Sequence, residues 1–249
     1  MSKKSTYTQF ISLVLGASLM TAMISCTDES FHPAQNKTSN QLEESQLEGR
    51  YEVKFSPLNS SVSGITTGKA KIRIIADKIS VSVDITDSPS KALHSQFIFT
   101  ASECPTEIHD INNDGFIDQV EAAKVLGSIL IPLDGDLNSQ DQGEAYFPWS
   151  DSLGNYSYYQ EGEFSSMLAD LRAPDLNLQD EIIKLIPGNN LKLQGKVIVI
   201  EGVSQDDYLP GSIQSIGSNS DRKSLPIACG IIKRTLLEDS ETTEADEDV

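Results

Sequence analysis

The sequence predicts a mainly β domain, an antiparallel sandwich or barrel with a few short helices. Three observations carry that reading. Lys78 to Thr86 alternates cleanly, with Ile79, Val81, Val83 and Ile85 on one face and Ser80, Ser82 and Asp84 on the other, the period of a half-buried strand. Several other short apolar runs follow one another with polar connections between them, the pattern of an all-β core. The 249 residues, 38% of them hydrophobic, suffice for one large domain or two small ones.

The chain opens on a segment that reads as processed. Lys3 and Lys4 precede an apolar run from Phe10 to Ile24, followed by Ser25 and Cys26. Residues 1–25 therefore read as a secretory signal peptide, too short and wrongly flanked for a stable membrane span. Met23-Ile24-Ser25-Cys26 resembles a bacterial lipoprotein lipobox, with Met23 where leucine is commonest. The resemblance implies cleavage before Cys26, lipidation of its thiol and a membrane anchor. Thr27, in place of the aspartate that marks inner-membrane retention, points to the outer membrane of a two-membrane cell. The alternative is an ordinary secretory signal that ends near a cysteine.

Residues 26–49 are polar, rich in Ser, Gln, Asn and Glu, and read as a lipidated N-terminus and flexible tether. The domain, residues 50–235, begins with strands at Tyr51–Leu58, Lys69–Ala76, Lys78–Thr86 and Ala92–Thr100. Further strands are expected at Ser128–Leu133, Lys196–Gly202 and Leu225–Lys233, with an exposed aromatic strand at Tyr156–Phe164. Short helices are expected over Asp118–Leu126, Ser166–Arg172 and Leu178–Ile186. Gly64-Ile-Thr66-Thr-Gly68 reads as a hairpin turn. Residues 236–249 form an acidic tail expected to be disordered, with seven acidic residues from Glu238 to Val249.

A net charge of -18 and a pI near 4.4 argue against nucleic acid as a partner. Removing residues 1–25 takes away two lysines and no acid, leaving the mature chain more acidic still. With Cys26 assigned to the lipid, Cys104 and Cys229 remain, and an even pair in an exported protein reads as a disulfide.

The most specific motif is Asp110-Ile-Asn112-Asn-Asp114-Gly115-Phe116-Ile117-Asp118-Gln-Val-Glu121. It fits the twelve-residue calcium loop of an EF-hand at each diagnostic position. Asp110, Asn112, Asp114 and Asp118 supply side-chain oxygens, Phe116 its backbone carbonyl, and Glu121 a bidentate carboxylate. Gly115 permits the sharp bend that lets alternate side chains turn inward. A hard cation takes about six to eight oxygens, which is why such density is needed. Pro105 breaks any helix leading into Asp110, so a lone calcium loop between strands is expected rather than half of a paired sensor.

Three stretches together resemble the copper/zinc superoxide dismutase fold. They are His94-Ser-Gln-Phe97-Ile98-Phe99 with Cys104 beyond it, Val197-Ile-Val-Ile200-Glu201, and Ile227-Ala228-Cys229-Gly230-Ile231-Ile232. The resemblance implies an eight-stranded Greek-key barrel and pairs Cys104 with Cys229. Its chemistry does not carry over. Phe97, Phe99 and Glu201 stand where the family has copper histidines, Pro226 stands in the place of its guiding arginine, and the whole chain has three histidines. Phe ligates no metal, so the chain reads as non-catalytic.

The smaller features take ordinary readings. His94 is expected to be a hydrogen-bonded strand histidine and His109 a solvated neighbour of the loop. Glu201 is expected to be an outward-facing charge at a strand end. Asp134, Asp136 and Asn138 continue at calcium spacing, but Ser139 replaces the needed glycine, so a solvated acidic loop is expected ahead of a second ion. Phe147, Trp149, Tyr156, Tyr158 and Tyr159 either cover the barrel or form a sugar- or protein-binding patch. The sequence thus leads to a calcium-binding, non-catalytic exported lipoprotein. A calcium-dependent adhesion or ligand-binding module with a protein or glycan partner is the second reading, and a dismutase-like metalloenzyme the third.

Overall fold

A computed structural model describes residues 48–139, 146–174, 184–186, 188–217 and 220–235. The signal segment, Cys26, most of the tether, the acidic tail and most of the helix expected over Leu178–Ile186 lie outside the described residues. Among the described residues, no helix is long and apolar enough to cross a membrane.

Among the described residues, nine strands form one antiparallel sheet that curls into a half-barrel. They are β1 (Gly49–Pro57), β2 (Thr67–Ile75), β3 (Lys78–Thr86), β4 (Gln96–Phe99), β5 (Ile129–Pro132), β6 (Tyr156–Glu163), β7 (Val197–Glu201), β8 (Pro226–Ile231) and β9 (Lys233–Thr235). The spatial order is β5-β4-β7-β8-β1-β2-β3-β6, with β9 beside β1. The short helices described between them are α1 (Ser60–Ser63), α2 (Gln119–Leu126), α3 (Phe164–Arg172) and α4 (Asp221–Ser224).

The alternation read in β3 sets the inside of the curl. Ile79, Val81, Val83 and Ile85 are buried, and the register places Ile72 of β2 opposite Val81 and Ile74 opposite Ile79. The main core adds Ile198 and Ile200 from β7 and Phe164, Met167, Leu168 and Leu171 from α3. That i, i+3, i+4, i+7 spacing gives α3 one apolar face against the sheet.

The sequence expectation of an exposed aromatic strand at β6 is corrected. Tyr158 lies opposite Val83 and Tyr156 opposite Ile85, so both share the core-facing side and are buried. Their hydroxyls are met there, Tyr158 donating to the Asp134 carbonyl at 2.6 Å and Tyr156 to Gln96 Oε1 at 3.3 Å. Of that trio Tyr159 alone points outward. β4 is shorter than expected because Leu93 leaves it to bridge Trp149. The β1–β2 connection is not a tight hairpin: α1 fills it, and Gly64 takes φ 60 at its end. The Leu225–Lys233 strand is interrupted at Ile232 and continues as β9.

Candidate functional site

Both faces of β4 and β7 are covered, and the face away from the main core carries the features of interest. Phe97, Phe99, Val197, Val199 and Cys229 form a second cluster there, closed over by Ile117, Ala122 and Leu126 from the acidic loop and α2.

The chain enters this region after Cys104, which is bonded to Cys229 of β8 with a Cα–Cα distance of 5.9 Å. A single 3-10 turn, Glu107–His109, leads into Asp110. His109 is half-exposed and folds back on the turn, its Nδ1 accepting from Thr106 N at 3.0 Å. Residues 110–121 then wrap around their own carboxylates. Asp110 Oδ1 accepts from Asp114 N at 3.1 Å and its Oδ2 from Gly115 N at 2.9 Å. Asn112 Oδ1 accepts from Asp114 N at 2.9 Å, and Asp114 Oδ1 from Phe116 N at 2.9 Å. The bend needs two left-handed residues, Asn113 at φ 57 and Gly115 at φ 88.

The end of the loop is a helix start. Asp118 caps α2 by accepting from Glu121 N at 2.9 Å, and Glu121 Oε2 accepts in return from Asp118 N at 3.2 Å. Glu121 Oε1 reaches back to Ile111 N at 2.8 Å and Asn112 N at 3.2 Å. One carboxylate therefore joins the first residues of the loop to the last. Asp118 Oδ2 also accepts from Gln214 N at 2.9 Å, tying the loop to the long connection after β7.

A tether that no local pattern announces lies 58 residues away. Asn59 Oδ1 accepts from Ile117 N at 2.7 Å, and its Nδ2 donates to Ile117 O and to Pro226 O, each at 2.9 Å. Asn59 itself is left-handed, at φ 52 and ψ 48.

Asp118 and Glu121 are both buried, and among the described residues no lysine or arginine pairs with either. Their charge is met by backbone N–H groups alone. This donor set, all oxygen and rich in carboxylate, suits a hard divalent cation rather than a soft one. The side chains do not converge on one point: among the described residues, no three His, Cys, Asp or Glu groups are placed to hold a metal ion.

Asp134 departs from the solvated loop expected for it. It is 1% exposed, its Oδ1 accepts from Asp136 N at 3.0 Å, and its Oδ2 has no partner. Burial raises its carboxyl above the usual carboxylate range.

Beside the loop, a cavity of about 810 Å³ opens against β4 and β7. The three positions where the family resemblance looks for copper histidines, Phe97, Phe99 and Glu201, line it together. α2 provides the opposite wall through Gln119, Ala122, Ala123 and Leu126, and Phe147 and Trp149 flank it. Glu201 is not the outward charge expected at a strand end; it is 3% exposed. Alternation along β7 puts it on the same face as Val197 and Val199, and Gly202, at φ 110, turns the chain away directly after it. Ser95 Oγ donates to Glu201 Oε2 at 3.2 Å, and loss of solvent pushes the carboxyl up to about 8.

His94 sits behind this wall, fully buried, with Nδ1 3.2 Å from the Glu201 carbonyl oxygen and Nε2 3.1 Å from Ser88 Oγ. Its ring stacks on Tyr156 at 5.2 Å, and burial lowers its pKa. It is a hydrogen-bonded core histidine, as expected, although it precedes β4 rather than lying in it. Comparison of the sequence with protein-family models and with curated proteins yields no match.

Proposed function

We propose that this protein is a calcium-binding, non-catalytic exported lipoprotein, held to a membrane through lipidated Cys26, in which the ion stabilises the loop Asp110–Glu121. One observation carries the reading. Two buried carboxylates, Asp118 and Glu121, belong to a loop with oxygen donors at calcium spacing and have no cationic side chain paired with them among the described residues. Asp110, Asn112, Asp114, Asp118 and Glu121 would hold the ion by side chains and Phe116 by its carbonyl. Such an ion neutralises mutually repelling carboxylates and fixes the loop's fold.

The strand order supports a Greek-key barrel. β7 returns to lie beside β4, β6 beside β3, and β8 beside β1, so distant strands flank the hairpins formed earlier in the chain. The disulfide joins the two cysteines that the superoxide dismutase resemblance pairs. A non-catalytic role is supported by the residues themselves, since Phe97 and Phe99 offer no ligand atom to a redox metal.

Calorimetry on the mature protein tests the reading. A heat of binding at one ion per chain is expected, with the affinity of about 10⁻⁴–10⁻³ M found for extracellular modules. Asp110→Ala with Glu121→Ala should abolish it. The absence of any calcium heat from the folded wild-type chain overturns the proposal.

A further inference from the structure

The cavity against β4 and β7 has the size of a small-molecule site, which ranges over about 300–1,000 Å³. Its walls are largely aromatic and aliphatic, with Phe97, Phe99, Leu126, Ile129 and Phe147 among them. One buried acid interrupts them. Glu201 spends one carboxyl oxygen on protein, accepting from Ser95 Oγ through Oε2, while Oε1 has no hydrogen-bond donor among the described residues. Oε1 is not among the buried atoms without a partner, so it faces the cavity, where a ligand that displaces water must replace the hydrogen bond the water made.

We propose that this pocket binds an apolar small molecule bearing a protonated amine, whose N–H donates to Glu201 Oε1 while its hydrocarbon body lies against Phe97, Phe99 and Phe147. The aromatic faces add cation–π attraction to an ammonium in a dry site. The chain's net charge of -18 raises the local concentration of cations and lowers that of anions. The other titratable groups lining the cavity are Tyr146, Lys184 and Lys223, and His94 lies behind the wall. Tyr146 and Lys223 are exposed to solvent, which screens the lysine from the deeper acid. The pocket's ligand is independent of the calcium reading, because no residue of the argument is a loop ligand.

Glu201 titrates near 8, so at pH 7 it is mostly the neutral acid. Binding an ammonium favours its carboxylate, and the proton leaves to solvent. Amine affinity therefore rises with pH up to about 8, by as much as tenfold per unit, and then levels.

The test uses the single tryptophan of the chain, Trp149, as a fluorescent reporter at the pocket. The mature protein is titrated with n-octylamine, 1-octanol and octanoate at pH 7. Octylamine should bind at least tenfold more tightly than octanol, and Glu201→Gln should remove that preference while leaving octanol within twofold. Glu201→Gln keeps the size of the neutral acid. Should that variant fail to fold, proton release on octylamine binding to wild type in weak buffer decides. Octanoate as the tightest ligand, an octylamine affinity unchanged in Glu201→Gln, no saturable binding, or no proton released would each overturn the proposal.

Discussion

The side-chain amide of Asn59 grips the peptide of Ile117 from both sides, accepting from its N at 2.7 Å and donating to its O at 2.9 Å. Ile117 is the apolar residue at the centre of the acidic loop, and its side chain is buried with Leu126 and Phe99 in the second cluster. A single asparagine thus does for the loop what a neighbouring strand does for a sheet edge.

Replacing Asn59 should separate its two roles. Asn59→Gly keeps the left-handed backbone and loses the amide, leaving buried groups of Ile117 unpaired at about 2 kcal/mol. Asn59→Ala should cost more, because alanine also resists φ 52. Urea unfolding of the two variants should rank them in that order. Equal losses would mean that the backbone geometry is unimportant.

Calcium should raise stability by mass action. At one hundred times its Kd an ion that binds only the folded chain adds about 2.7 kcal/mol. A thermal melt with excess calcium against one with chelator measures it. Gly115→Ala should weaken both arms through backbone strain alone, since nothing lies within 4 Å of the added Cβ. Its expected cost is about 1 kcal/mol.

Glu201 should make stability fall as pH rises. Its folded value near 8 lies above its ordinary 4.5, so burial of the neutral acid is fully compatible with folding below 4.5 and penalised progressively up to 8. The slope is about 1.4 kcal/mol per pH unit across that window. His94 acts in the opposite sense, because its lowered pKa makes stability fall as pH drops below 6.5. Denaturant midpoints between pH 6.5 and 8 should therefore decline in wild type and stay nearly flat in Glu201→Gln. A decline of the same slope in the variant would assign it to another group.

The Cys104–Cys229 bond spans 125 residues. Its loss should cost about 3–5 kcal/mol by the chain-entropy account. Cys104→Ser with Cys229→Ser, compared with wild type by urea unfolding, reads this directly. A change under about 1 kcal/mol would show that the unfolded chain already holds these segments together.

Much of the sheet is legible in the sequence where burial is one-sided. Ile79 to Ile85 alternate against serine and aspartate, and β3 covers that pattern from end to end. The acidic loop and the helix it caps are legible because the carboxylates and the backbone groups that turn the loop lie within twelve residues of one another, whereas its ties to Asn59 and Gln214 are not. Glu201 is harder, because a carboxylate at a strand end is ordinarily cheapest in water. The alternation with Val197 and Val199 does carry the signal, and protonation removes the objection to it. Tyr156 and Tyr158 mislead because their inward direction depends on pairing with β3, a strand some 70 residues earlier. Asn59 carries no local sign at all, since its geometry is defined only by residues that the fold brings to it.

β1 carries more than its share of the sheet. It pairs with β2 over seven residues, with β9 over three and with β8 over two, so it is flanked on both sides. It is also the first strand of the described chain. Tension applied to the polypeptide ahead of Gly49 enters the fold through a strand that is flanked on both sides. The seven-residue ladder to β2 then resists as a set, loaded along the strand rather than opened one bond at a time. A pull from the far side of Thr235, the last described residue, first meets the three-residue β9.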